Sequence, residues 1–547
     1  MKNLTGFSFA SSMIVLSCLT FSGITRAEPI YLEQGWNEDV RQGYYFTPQG
    51  SRMIPAEWFM AIETVDGKEF FSSNANLEAH GFITVDQAST LNPYGLPIGF
   101  AIDPVIIPGR GNSLGFTCAA CHNAELIVEG KPVRIDGAPA NLDFDGFYAD
   151  LASAIHRTFY DDAAFKEFAN QVSPDASVEQ ITALKEVLVS YQSELAGDAV
   201  VRSAVLKSGF GRVDALTQSI NALAVTALKE PANLRPVNAP TSYPHLWLAP
   251  HLEFVQWNPT ATNPINRNGG EVLGVFGAVN LNEQGHSKYD SSLLIPELIL
   301  LEHWLRDLQP PRWDEVIFGS INPELAEYGE ALYMQHCDGC HTSQPYRRTD
   351  PADNDFGKSF IKIGRVNYKE AGTDRQYVES LLNRVVRAEK LTDDGLNIVS
   401  VVPALQYFST TVGQVVAKAV TKATLDEQQS LELNGFRSGT GDSAPPSYTD
   451  LKAGPLAGIW ATGPYLHNGS VPTLYELLSP ESQRREIFWT GGRELDTVHM
   501  GIESGEAEGR FLFDTRLRGN HNIGHNYPAE GLDEEARMAI IEYLKTQ

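Results

Sequence analysis

Apolar residues recur at helical spacing in several stretches of this chain, and Pro- and Gly-rich turns separate them. The pattern therefore predicts a mainly α protein with extended loop regions and little β-structure. Leu325, Tyr328, Leu332 and Tyr333 make one helical face that runs directly into Cys337. Ahead of them Asn322-Pro323-Glu324 reads as a helix start, with Asn as cap, Pro at the first helical position and an acidic neighbour. The same periodicity runs through 178–194 and around 213–229, and Asp533 to Leu544 forms a further amphipathic helix expected to close the C-terminal region. Turns dominate 231–264, and Pro108-Gly109-Arg110-Gly111 with Gly115 frame a loop. Pro310-Pro311 ends the helical segment that carries Trp304, which sets the expected boundary between an N-terminal part, 28–311, and a C-terminal part, 312–547.

The chain opens with Met1-Lys2, an apolar stretch from Phe7 to Phe21, and Thr25-Arg26-Ala27. That is the layout of a secretory signal peptide spanning residues 1–27, cleaved after Ala27, and it predicts a periplasmic or secreted protein. No later stretch predicts a membrane span: Leu293 to Leu301 is short and contains Glu297. At 547 residues the chain exceeds one ordinary hydrophobic core, so at least two domains are expected. A net charge of −26 argues against nucleic-acid binding and fits docking of a small basic redox protein, although solvated acidic surface without a partner is the commoner explanation.

Cys18 lies in the segment to be removed, which leaves four cysteines in two pairs: Cys118-Ala119-Ala120-Cys121-His122 and Cys337-Asp338-Gly339-Cys340-His341. Two thiols at i and i+3 reach the two vinyl groups of one porphyrin, and the adjoining histidine then lies under the iron. A four-cysteine zinc site brings its pairs together over about 15–20 residues, far less than the interval here. A redox dithiol needs no following histidine, yet one follows each pair. Cys118, Cys121, Cys337 and Cys340 are therefore read as the attachment points of two covalent haem c groups, with His122 and His341 as proximal ligands.

The sixth position of each iron separates electron transfer from chemistry, since an open iron can bind oxygen or peroxide. For the second haem, His525 in the polar loop Gly519 to His525 is the favoured ligand, with His521 and Met500 as alternatives. His467, between Pro464 and Gly469, is expected to organise its turn or a propionate. For the first haem, His156, His245 and His251 come into question, and an open position is the preferred reading. Trp304 and Trp313 are considered as aromatics between the haems.

Leu456-Ala457-Gly458-Ile459-Trp460-Ala461-Thr462-Gly463-Pro464-Tyr465-Leu466-His467-Asn468-Gly469-Ser470-Val471-Pro472-Thr473-Leu474 resembles the signature of the dihaem peroxidase superfamily. It is most similar to the branch that holds the rubber oxygenase and the periplasmic dihaem oleate dioxygenases. Tyr44 to Ser51, Leu96 to Phe100, Pro310 to Trp313 and Asn522 to His525 carry the same resemblance. It implies two cytochrome c-like haem domains. It also implies a reactive N-terminal haem whose one protein ligand is His122 and whose other side is open to dioxygen, and a C-terminal electron-transfer haem between His341 and His525. The expected activity is oxygenation of a hydrophobic alkene, an unsaturated fatty acid or isoprenoid. A dihaem peroxidase and a non-catalytic electron carrier are the alternatives. Family analogy allows a calcium ion between the two parts, for which no acidic cluster identifies a site.

Overall fold

The computed structural model describes residues 27–262, 264–282, 285–353, 357–391, 397–433, 448–529 and 531–547. The expected leader, Ala27 apart, lies outside them, and Cys18 with it.

The fold corrects the expected class. The chain is 41% helical and 16% strand, its strands fall into many small sheets, and it does not form two cytochrome c domains. The strands escaped the hydrophobic pattern because several of their inward positions are charged. In the sheet that orders Ile30–Tyr31, Lys131–Asp136 and Asn123–Val128, Arg134 is buried against Glu125 at 2.9 Å. Asp136 in the same strand is buried against Arg41 at 2.9 Å and accepts from the Tyr45 hydroxyl at 2.5 Å. Paired in this way the charges tolerate burial, but they erase the apolar alternation by which a strand is recognised.

A second three-stranded sheet orders Ile54–Pro55, Gly111–Phe116 and Phe100–Ile107. The first Cys-x-x-Cys-His turn is the link between strand Gly111–Phe116 of this sheet and strand Asn123–Val128 of the other. It is therefore carried on β-structure. The second turn follows helix Pro323–His336, which starts where the Asn322 side chain accepts from Leu325 N at 3.1 Å. The closing helix Glu534–Lys545 packs along it. The 178–194 periodicity belongs to a longer helix, Val178–Arg202, and 213–229 to a shorter one, Ala215–Asn221, continued by a wider turn.

The largest core draws on both sides of Pro311. Tyr44, Ile135 and Trp247 pack in it with Trp460, Met500 and Ile541. Each large side chain buried this way contributes about 2 kcal/mol, so both attachment turns hang from one interlocked core. Among the described residues no helix is long and apolar enough to cross a membrane.

Candidate haem-binding site

The two attachment turns are built alike. Cys121 N and His122 N both donate to Cys118 O, at 3.2 and 3.0 Å, while Cys340 N and His341 N both donate to Cys337 O, at 3.1 and 2.9 Å. Each turn rests against a glycine. A Cβ on Gly99, which has φ +94°, would stand 2.3 Å from the backbone of Ala120, and one on Gly364 would stand 2.4 Å from Cys340 O. Gly99 also accepts from Thr117 N at 2.8 Å, so the segment Leu96 to Phe100 forms the bed of the first turn. None of the four cysteines is in a disulfide. Burial pushes the Cys337 thiol up to about 11 and Cys121 to about 12, which keeps them protonated and unreactive as free nucleophiles.

The two histidines are oriented by the same device. His122 Nδ1 lies 2.7 Å from Pro244 O and His341 Nδ1 lies 2.8 Å from Gly454 O. A carbonyl only accepts, so each ring carries its proton on Nδ1 and leaves Nε2 free to ligate. Burial lowers the pKa of both, to about 4 for His122. The backbone carbonyl of each is tied by a tyrosine, with Tyr44 Oη donating to His122 O at 3.3 Å and Tyr333 Oη to His341 O at 2.5 Å.

Opposite His341 stands His525, with ring centres 6.2 Å apart. A metal ion about 2 Å from each of two imidazole nitrogens, themselves about 1 Å from their ring centres, sets those centres roughly 6 Å apart. The pair borders an apolar cavity that also takes in Cys337, Cys340, Leu474 and Leu478. A porphyrin bonded to the two cysteines and ligated from both faces fits this arrangement. Burial, then the neighbouring His341, lowers the His525 pKa to about 3.

The loop that brings His525 is held in large part through its backbone. Asp374 Oδ2 accepts from Gly519 N at 2.8 Å and His521 N at 3.2 Å. Asn468 Nδ2 donates to Gly519 O at 3.2 Å and His521 O at 3.1 Å, and Arg484 Nη1 donates to Asn522 O at 2.6 Å and Gly524 O at 2.9 Å. His525 N donates to Ala371 O at 2.9 Å. The His521 ring is committed to Asp374 at 3.1 Å, and Met500 is packed in the main core away from the cavity lining. His467 borders the cavity between Trp257 and Tyr377, and burial lowers its pKa to about 4.

Around the first turn the three histidines considered from sequence are engaged elsewhere. His156 lies exposed on helix Phe144–Tyr160 against Tyr160, and His251 Nε2 bonds Arg306 O at 2.9 Å. His245 follows the Pro244 carbonyl that holds His122 from behind, and it stacks on Trp247 at 4.6 Å and 14°. What the periodicity did not reveal is helix Pro264–Gly274. Its Glu271 acts on both sulfurs of the first motif, and its Arg267 is paired with Glu302 at 2.5 Å. Burial raises the Glu271 pKa.

The connection between the motifs runs through Pro244, His245 and Trp247. Trp247 is fully buried and donates to Ala457 O at 2.7 Å, while His245 borders the cavity of the second motif. Trp304 instead packs on Gly43, and Trp313 packs with Phe318 and Trp460, so neither occupies that connection. Among the described residues no group of three or more His, Cys, Asp or Glu side chains is disposed to hold a free metal ion.

A family described as RoxA-like, cytochrome c-like, matches residues 451–490. That segment contains Gly454, His467, Asn468 and Arg484, the residues that orient His341, border the cavity and hold the His525 loop. The chain is 33% identical to the uncharacterized protein y4iJ of Sinorhizobium fredii, over 94% of this chain and 93% of that one. It is 24% identical to the uncharacterized protein y4iM of the same organism, over 56% of this chain and 64% of that one.

Proposed function

We propose that this chain, which belongs to the same family as the y4iJ protein and carries a RoxA-like, cytochrome c-like segment, is an exported dihaem oxygenase acting with dioxygen on a hydrophobic alkene. The RoxA-like match supports covalently bound haem c and a haem-dependent oxidoreductase. The finer reading rests on one observation, the asymmetry of the two motifs. An imidazole stands opposite His341 at ligand spacing, whereas the three histidines considered for His122 are committed elsewhere.

Bound at the first motif, haem would supply the activation of dioxygen. The chain's residues supply the setting. Cys118 and Cys121 anchor the group, the Pro244 carbonyl fixes the His122 tautomer, and Gly99 with Ala120 keeps the turn from shifting. At the second motif Cys337, Cys340, His341 and His525 hold an electron-transfer group in apolar surroundings. The Pro244-His245-Trp247 segment ties the two together, and the leader ending at Ala27 directs export. The proposed substrate is an unsaturated fatty acid or an isoprenoid, and a small basic redox protein suits the acidic chain as electron donor.

Hydrogen-peroxide reduction is the second reading, and Glu271 favours it. A carboxyl whose pKa is raised by burial beside the first motif is suited to deliver a proton to a leaving hydroxide. The test is to record optical and paramagnetic resonance spectra of the purified protein, oxidised and after dithionite, and then to supply oxygen with unsaturated lipids or peroxide with an electron donor. Oxygen-dependent lipid products with one low-spin bis-histidine haem support the oxygenase. Peroxide turnover without lipid products gives the peroxidase. Two low-spin haems inert to both leave an electron carrier.

A further inference from the structure

Several enclosed cations among the described residues are matched by oxygen. Arg134 pairs with Glu125, Arg202 with Asp198 at 2.6 Å and Arg267 with Glu302, and Arg212 donates to Ser208 O, Asn468 O and the Asn520 side chain. Lys452 departs from this pattern. It lies in strand Asp450–Ala453, pinned where its backbone N donates to Trp257 O at 2.9 Å, and it borders the cavity of the second motif. Among the described residues no carboxylate forms an ion pair with it. The charge that reaches it is that of Arg267, another cation, and burial together with Arg267 brings its pKa down to about 8. Glu271 and Glu302 act on Arg267 instead.

An ammonium that faces an apolar cavity without a carboxylate partner is poorly compensated, so its position calls for an anion that arrives with a ligand. We propose that Lys452 receives a carboxylate in the cavity of the second motif, either a haem propionate or the acid end of a bound carboxylic acid. A porphyrin held through its vinyl edge by Cys337 and Cys340 would have its propionates on the opposite edge, and the lining of the same cavity includes Lys452, Ser242 and Trp257. On the other side Lys452 acts on His245, next in sequence to the Pro244 that holds His122. A carboxylate bound there is within the electrostatic reach of both motifs. The inference depends on haem attachment and not on oxygen chemistry, and the haem content of the wild-type protein checks that premise separately.

The experiment compares Lys452→Met and Lys452→Arg with wild type as full-length holoproteins. Haem per chain is counted by pyridine haemochrome, both midpoint potentials are taken by spectroelectrochemical titration, and binding of oleate and methyl oleate is followed by the Soret band. With a propionate as partner, Lys452→Met lowers a midpoint potential, because an uncompensated carboxylate favours the oxidised iron, and Lys452→Arg retains it. With a free acid as partner the potentials stay, and Lys452→Met binds oleate about tenfold more weakly or worse while methyl oleate binding is unchanged. Maturation of Lys452→Arg but not of Lys452→Met also supports a required positive charge. Unchanged potentials and unchanged oleate affinity in Lys452→Met overturn the proposal, as does failure of both variants to mature, which would make Lys452 a packing residue.

Discussion

Arg484 donates through a single terminal nitrogen to the carbonyls of both Asn522 and Gly524, at 2.6 and 2.9 Å, and thereby grips the backbone immediately ahead of His525. Its other donors go to Glu476 O at 3.2 Å and Leu477 O at 3.1 Å, so one buried guanidinium serves four carbonyls. Arg484→Ala leaves those carbonyls short of donors at about 1–3 kcal/mol for each one that stays dry. The expected outcome is a melting temperature several degrees lower and partial loss of the bis-histidine signature at the second haem, read by paramagnetic resonance. An unaltered spectrum would mean that the loop finds its place without the clamp.

Ligand identity at the second haem separates His525 from Met500. His525→Ala should turn that haem high-spin or open it to added imidazole. Met500→Leu, a volume-conserving change in the core, should cost less than about 1.5 kcal/mol and leave the spectrum as it was. Near-infrared magnetic circular dichroism of the two variants checks both outcomes. A sulfur-ligand band in wild type that Met500→Leu abolishes would reverse the assignment.

Gly99→Ala places a Cβ 2.3 Å from the backbone of Ala120 at a positive φ, and neither side can yield without displacing the Cys118–Cys121 turn. We expect a loss of about 3 kcal/mol or more, together with haem content falling toward one per chain as the second motif stays occupied. Pyridine haemochrome against protein concentration measures it.

The two turns and the facing of His341 and His525 were legible in the sequence. Four cysteines and two histidines announce the attachment turns by spacing alone, and a polar loop rich in glycine and asparagine marks His525 as a residue able to reach back over an iron. Helix Pro323–His336 was equally readable, because Asn322 caps it and its apolar face is regular. The surroundings of the first turn were not. Glu125, Arg134 and Asp136 sit inside strands where the pattern demands apolar residues, and they are tolerated there by partners distant in sequence. Lys452 gave no signal either, because a lysine in a short strand looks like surface until its surroundings are known.

Trp247 is predicted to matter for communication between the haems more than for holding either of them. Trp247→Leu should cost about 3 kcal/mol through lost packing and slow the equilibration of an electron between the two centres, with both haems still attached. Flash reduction followed at two wavelengths separates these effects. Unchanged transfer in the variant would assign Trp247 to packing.

His80 provides a pH handle outside the two attachment motifs. It is buried against Phe71 and Phe147, and burial lowers its pKa despite Asp150 at 3.6 Å. A histidine whose folded pKa lies below the unfolded value leaves the unfolded chain binding more protons, so its contribution is present above about pH 6.5 and is lost as the pH falls through that range. Urea midpoints taken between pH 7.5 and 5 should therefore fall on acidification, and less steeply in His80→Asn. Parallel curves would acquit His80.

The carbonyls that orient the two proximal histidines lie 122 and 113 residues further along the chain than the histidines themselves. A polypeptide delivered from its N-terminus thus presents each attachment motif well before the group that will aim its imidazole. Covalent loading can take place on a pliant chain, and aiming follows when the later segment arrives. A chain loaded in that interval would then fold its later segments around the group already attached.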